Sequence, residues 1–218
     1  VTTRSIDITP NDFEFNQVEN SELSISHTSN TITLSGLETE VDITLSNGMY
    51  SVNGAEFTSE ASKVKQGDTL SIRLTSAEEF ATLTTSTVTV GGFTTSYNVT
   101  TREKDITPDT FEFTAITNAE LNNEVISNTV TISGIDDNTF FSVLGSKYVL
   151  NGVEVTGESD VNVGTINNGD ELAIYLTTGN EYNNTYTGGV SIGADSNRFL
   201  FQVTTKADVA PTVAFAKE

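Results

Sequence analysis

The chain says most of what it has to say twice. Asp7-Ile-Thr-Pro-Asn-Asp-Phe-Glu-Phe15 returns as Asp105-Ile-Thr-Pro-Asp-Thr-Phe-Glu-Phe113, with seven of nine positions identical. Ser29-Asn-Thr-Ile-Thr-Leu-Ser-Gly-Leu37 returns as Ser127-Asn-Thr-Val-Thr-Ile-Ser-Gly-Ile135, and Tyr50-Ser-Val-Asn-Gly54 as Tyr148-Val-Leu-Asn-Gly152, all at an offset of 98. Gly67-Asp-Thr-Leu-Ser-Ile-Arg-Leu-Thr75 returns as Gly169-Asp-Glu-Leu-Ala-Ile-Tyr-Leu-Thr177 at an offset of 102, and Val99-Thr-Thr101 as Val203-Thr-Thr205 at 104. The offset grows only between periodic segments, where loops absorb insertions. A unit of about 100 residues is far longer than a solenoid repeat and is the size of a domain with its own core. Two domains are therefore expected, residues 1–101 (1–4 being a leading strand or linker) and 102–206, followed by a strand or tail over 207–218.

Each repeat reads as β-structure. Ile32 and Leu34 alternate with Thr31 and Thr33; Leu70, Ile72 and Leu74 with Ser71 and Arg73; Val88 and Val90 with Thr87 and Thr89. Period-2 alternation buries one face of a strand and wets the other. The wet positions are often Thr or Ser, which suit a solvated sheet face. Asn53-Gly54 and Asn151-Gly152 predict two-residue type I′ turns, since both central residues need positive φ. Gly67-Asp68 and Gly169-Asp170 predict further turns. No apolar period of 3.6 residues is sustained, so almost no helix is expected. About seven one-faced strands per repeat predict two sheets packed face to face. The predicted fold class is all-β, two tandem Ig-like β-sandwich domains with a short linker. Predicted core positions in the first repeat are Phe13, Phe15, Leu23, Ile32, Leu34, Ile43, Leu45, Val52, Leu70, Ile72, Leu74, Val88, Val90, Tyr97 and Val99.

Composition narrows the chemistry. Ten Lys and Arg against 30 Asp and Glu give a formal charge of −20 over 218 residues. That charge repels phosphate and argues against nucleic acid and anionic membrane. No apolar run approaches the roughly 20 residues that span a bilayer, so no membrane insertion is expected. The absence of Cys removes disulfides, zinc-thiolate sites and thiol nucleophiles. His27 is the sole histidine, in phase with Leu23 and Ile25, and reads as structural or surface. Gly189-Val-Ser-Ile-Gly193 has the letters of a nucleophile elbow but lies inside strand alternation. Adjacent carboxylates at Glu78-Glu79 and Asp136-Asp137 point to opposite faces of an extended chain, the wrong arrangement for glycosidase chemistry. The chain is expected not to be an enzyme.

Three sets of residues remain as candidates. Short linkers between sandwiches can be stiffened by Ca²⁺ held among carboxylates, and Glu103, Asp105, Asp109, Asp136 and Asp137 could converge near the junction, although no D-x-D-x-D-G loop is present and solvated charge is the favoured reading. No other cofactor is implied. In Asn180-Glu-Tyr-Asn-Asn-Thr-Tyr186, Tyr182, Tyr186, Asn183 and Asn184 offer rings and amides to an extracellular glycan, although Tyr182 aligns with Phe80 as a shared packing position. Finally, the unit boundary is spelled three times, at Val1-Thr-Thr, Val99-Thr-Thr and Val203-Thr-Thr. Residues 1–3 resemble the last strand of a preceding unit, and 211–216 the first strand of a following one. Thr212, Val213, Ala214, Phe215 and Ala216 would then either begin a neighbouring domain of an array or add to the sheet of another copy in a head-to-tail fibre.

The string DITP-x-x-F-x-F … SNT-[IV]-T-[LI]-SG-[LI] … Y-x-x-NG … GD-x-L-x-I-x-L-T … VTT resembles a tandem Ig-like repeat of large secreted and surface, adhesin-like proteins of proteobacteria. The resemblance covers nearly the whole chain and implies no catalytic residues. It implies a non-enzymatic spacer or shaft at the bacterial cell surface, with neighbouring Ig-like domains or further copies of the chain as partners. The rival from a different class is a carbohydrate-binding accessory module of a secreted polysaccharide-degrading enzyme.

Overall fold

The computed structural model describes residues 4–145, 147–157, 161–194 and 196–209, and of residues 161 and 162 the backbone alone. The chain divides into two units, Val1–Lys104 and Asp105–Glu218. All regular structure among the described residues is strand.

The first unit contains β1 (Val18–Ser21), β2 (Ser26–Thr28), β3 (Ile32–Thr33), β4 (Val41–Leu45), β5 (Met49–Val52), β6 (Ser62–Val64), β7 (Thr69–Thr75), β8 (Leu83–Val90) and β9 (Phe93–Thr101). One sheet runs in the order β1-β9-β8-β4-β6; in the other, β2, β3 and β5 all pair with β7. The second unit contains β10 (Ile116–Ala119), β11 (Glu124–Ile126), β12 (Val130–Thr131), β13 (Thr139–Leu144), β14 (Lys147–Leu150), β15 (Val153–Thr156), β16 (Val161–Ile166), β17 (Glu171–Thr177), β18 (Thr185–Ile192) and β19 (Arg198–Thr205). Its first sheet is β10-β19-β18-β13-β16, and its second sets β11 and β12 on β17, followed by β14 and β15. These are two tandem Ig-like sandwiches, as the alternation predicts.

The strand number, nine and ten against about seven expected, is raised in part because the run facing β7 in the first unit, and β17 in the second, is split into two short strands. β2 and β3 both pair antiparallel with β7, and the break falls at Ser29-Asn30. Ser29 keeps its bonds to β7 through the Ile72 carbonyl (2.8 Å) and, by its hydroxyl, the Ile72 N–H (2.9 Å). The Asn30 side chain turns the other way and accepts the Asn16 N–H at 2.8 Å. Ser127 and Asn128 repeat this, with Asn128 accepting the Thr114 N–H at 2.7 Å. The repeated Ser-Asn pair is therefore a fastener between the sheet and the segment that enters the unit.

The Asn-Gly and Gly-Asp turns form one device. Asn53 and Gly54 take φ of 53° and 72°, and Asn151 and Gly152 take 51° and 77°, as type I′ requires. Asn53 donates its amide to the Asp68 carboxylate (2.9 Å) and accepts the Thr69 N–H (2.8 Å); Asp68 also accepts the Lys65 N–H (2.9 Å). Asn151, Asp170, Glu171 and Asn167 repeat the geometry. In the second unit the turn closes a hairpin, β14 against β15; in the first the return is reduced to a bridge between Tyr50 and Thr58.

Each unit closes its own core. The first is built from Phe15, Leu34, Ile43, Leu70, Ile72, Leu74, Val88, Val90, Tyr97 and Val99, with Phe13, Ile32, Leu45 and Val52 packed against it. Leu37, Val41, Tyr50 and Val64 join them from outside the prediction. Leu23 does not: it is half-buried and outside the cluster, because Ser24 turns the chain there with φ of 57°. The second core repeats the first around Phe113, Phe141, Ile174 and Phe201.

Candidate functional site

The carboxylates proposed for calcium are placed by the entry segment of the second unit. Asp105 and Asp136 are brought together: the Asp105 N–H donates to the Asp136 carboxylate (2.7 Å) and the Asp136 N–H to the Asp105 carbonyl (2.8 Å). The Asp105 carboxylate accepts the Thr107 N–H at 3.0 Å. Asp109 accepts the Ser133 hydroxyl (2.8 Å), and Asp137 accepts the Asn168 N–H (3.2 Å). Glu103 is exposed. Each of the four aspartates has its own hydrogen-bond partner, and no group of three or more acidic or histidine side chains suited to a metal occurs among the described residues. The first unit explains the Asp105–Asp136 contact. There the Asp7 N–H donates to the Glu38 carboxylate (2.9 Å), the Glu38 N–H to the Asp7 carbonyl (3.0 Å), and Asp7 accepts the Thr9 N–H (3.0 Å). In both units, carboxylates pin the entering chain to the loop before β4 or β13.

The tyrosine loop is likewise a repeated turn. Asn183 takes φ of 52° and donates its N–H to the Lys206 carbonyl (3.0 Å); Ala81, with φ of 50°, does the same to Arg102 (2.9 Å). The Asn184 N–H donates to the Thr205 hydroxyl (3.0 Å) and its amide to Glu181 (3.0 Å). Tyr182 is 45 % exposed. Its counterpart Phe80 lies under the Arg102 guanidinium at 4.9 Å. The Tyr186 ring lies over Gly179, where a Cβ would come within 2.4 Å of the phenol oxygen. The loop thus brings Tyr182, Asn183 and Asn184 to one end of the sandwich, while Tyr186 leans on the main chain of its own unit. Thr212, Val213, Ala214, Phe215 and Ala216 lie outside the described residues.

A feature that the sequence reading missed sits where each unit begins and ends. β1 pairs with β9 in parallel, Val18 opposite Val99 and Ser21 opposite Thr101; β10 pairs with β19 in parallel, Ile116 opposite Val203 and Ala119 opposite Thr205. Both pairings are extended by matching contacts. Arg102 donates its N–H to the Ser21 carbonyl (2.9 Å) and pairs with Glu22 (2.9 Å). Lys206 donates its N–H to the Ala119 carbonyl (3.0 Å) and pairs with Glu120. The legible signal was the basic residue directly after each Val-Thr-Thr.

No protein-family model matches the chain, and no curated protein sequence is similar to it. Among solved structures, the titin domains Z1Z2, crystallised in complex with telethonin, are 11 % identical, with 95 % of this chain and 100 % of that one covered at a TM-score of 0.47. The I9–I11 tandem of titin is 15 % identical over 89 % of this chain and 66 % of that one, at a TM-score of 0.29. Cadherin-like domains 1 to 4 of zebrafish RET are 10 % identical over 92 % and 50 %, at 0.27. With all three scores below 0.5, the Ig-like assignment stands on the strand pairing and the two cores.

His27 does find a polar partner. Its Nε2 lies 2.6 Å from the Ser21 hydroxyl, which also donates to the Glu22 carbonyl (2.8 Å). Ser21 is buried at the end of β1, so the contact ties β2 to the terminal pairing. No carboxylate hydrogen-bonds the other ring nitrogen among the described residues.

Proposed function

We propose that this chain is a non-enzymatic, load-bearing module of a bacterial extracellular surface or adhesive assembly, two sandwiches acting in series as a spacer or shaft. The parallel pairing of first and last strands in both units carries this reading. In a parallel pair, the start of one strand and the end of the other lie at opposite ends. Tension on the chain therefore loads β1 against β9, and β10 against β19, in shear. Their backbone bonds and the Arg102–Glu22 and Lys206–Glu120 pairs share the load instead of opening one at a time. The resemblance of the repeat to surface-protein modules supports the extracellular setting, and the likeness of residues 211–216 to an opening strand supports growth into an array or, by strand addition, a head-to-tail fibre.

Single-molecule stretching of the intact chain tests the reading. Two separate force peaks are expected, each releasing roughly 30 nm of chain at ~3.5 Å per residue. Arg102→Ala should lower one of the two forces. Extension without resolved peaks would refute the load-bearing role.

A further inference from the structure

The same sheet face differs sharply between the two units. In the first unit, the outward positions of the β9-β8-β4-β6 sheet are Asp42, Thr44, Lys63, Thr87, Thr89 and Ser96, with Lys63 paired to Asp42 at 2.8 Å. It is a threonine-rich wet face. In the second unit, the register puts Phe140 where Asp42 stands, Thr165 where Lys63 stands and Leu200 where Ser96 stands. Phe140 is 53 % exposed, Val163 62 %, Leu200 49 % and Leu144 39 %. They adjoin. Gly189 lies opposite both Leu144 and Leu200, so no side chain separates those two leucines. Ser142 lies opposite Val163 and between Phe140 and Leu144 along its own strand. A recess of about 280 Å³ beside Phe140, bounded by Ser191, Gly193 and Ala194, opens onto the same region.

We infer that this outer face of the β19-β18-β13-β16 sheet is a self-association surface that pairs, face to face, with the same surface of a second copy of this chain. Charge selects that occupant. The chain carries −20, so two copies repel each other over most approaches. The four strands of this face contain no Asp or Glu, and Arg198 is their single charged residue. The strands β2, β3, β5 and β7 of the first unit also lack Asp and Glu, but Met49 is their single exposed large apolar side chain, whereas this face gathers Phe140, Leu144, Val163 and Leu200, so that two copies can meet through it without opposing carboxylates. Two flat sheets pack at about 10 Å with interleaved side chains. Four strands about 4.8 Å apart and up to eight residues long present roughly 500 Å² per copy, so the pair buries roughly 1,000 Å². That is the lower limit for a specific interface and implies weak, concentration-dependent association. Because the contact is apolar and the background repulsive, added salt should strengthen it, the reverse of an ion-paired interface. Such pairing is lateral and does not depend on the load-bearing role or on the strand at 211–216.

Sedimentation velocity of the intact chain from micromolar to millimolar concentration tests this. Reversible dimers are expected, more populated at 0.5 M than at 0.05 M salt, because the Debye length falls from about 14 Å to about 4 Å between them. Phe140→Asp and Leu200→Ser, which install the first unit's residues at exposed positions, should each weaken association at least about tenfold, because each removes apolar area from the contact. Thr87→Glu on the matching face of the first unit should leave it unchanged, and circular dichroism would verify that each variant folds. A chain that stays monomeric throughout overturns the inference. So does association that survives both substitutions but disappears when residues 207–218 are deleted, because that assigns it to strand addition.

Discussion

Asp68 shows how one carboxylate holds two turns. It is buried, accepts the Asn53 amide and the Lys65 N–H, and those bonds hold its pKa below the ordinary value near 3.8, with burial opposing them. A lowered folded value means that the unfolded chain takes the proton first. The stabilisation is therefore complete above about pH 4 and disappears as pH falls through the folded-state value. Asp68→Ala should cost the first unit about 1–3 kcal/mol at neutral pH, the range for lost hydrogen bonds to a charged group. The gap between variant and parent should narrow in acid. Urea melts at pH 7 and pH 3 decide it, and an equal gap at both would show that the carboxylate charge contributes nothing. The sequence had marked Asn-Gly and Gly-Asp as separate turns. Their union was hidden because 15 residues separate Asn53 from Asp68.

At the scale of elements, alternation was readable because each strand has one dry face, and a one-residue slip would invert it. Phe15, Ile43, Ile72 and Val88 were placed in the core on that basis and are buried there. What stayed illegible depends on partners distant in sequence. The β1·β9 and β10·β19 pairings each set a long alternating strand against a four-residue, mostly polar one with no periodicity of its own, and β6 is three residues long. The Ser-Asn pair splits the run facing β7 through side-chain bonds to Ile72 and Asn16, both distant in sequence. The hairpins joining β8 to β9 and β18 to β19 make a further contact that no local pattern announces. Gly91 and Gly193 hold φ of 55° and 72°, and a Cβ there would lie 2.1 Å from the Ile8 carbonyl oxygen and 2.0 Å from that of Ile106. Backbone against backbone cannot yield cheaply. Gly91→Ala and Gly193→Ala should each destabilise their unit by at least about 2 kcal/mol, whereas Gly54→Ala, with open space around it, should cost only its φ penalty of about 1 kcal/mol. Thermal melts of the three variants would show whether the entering segment truly seats against the hairpin; equal losses would mean that it does not.

For the whole molecule, duplication means that stability should also come in two parts. The two clusters share no residue, and each contains aromatic side chains from its own entry segment and its own last strand: Phe15 with Tyr97, Phe113 with Phe201. The cores are not identical copies, because Phe111 stacks on Phe199 at 3.8 Å whereas Phe13 meets Phe93 at a tilt and 4.8 Å. Two melting transitions of unequal temperature are therefore expected from one chain by calorimetry. Ile72 assigns them. It is fully buried in the first core, and Ile72→Ala removes three heavy atoms that the tightly packed sheets cannot replace. The expected cost is about 2–5 kcal/mol, and for a domain of this size each kcal/mol lowers the midpoint by roughly 4–8 °C. One transition should fall by at least about 10 °C while the other keeps its temperature and enthalpy. Ile174→Ala, at the equivalent position of the second core, should do the reverse. If either substitution moved both transitions together, the halves would be one cooperative structure, and a shaft assembled from independent load-bearing sandwiches would have lost its physical basis.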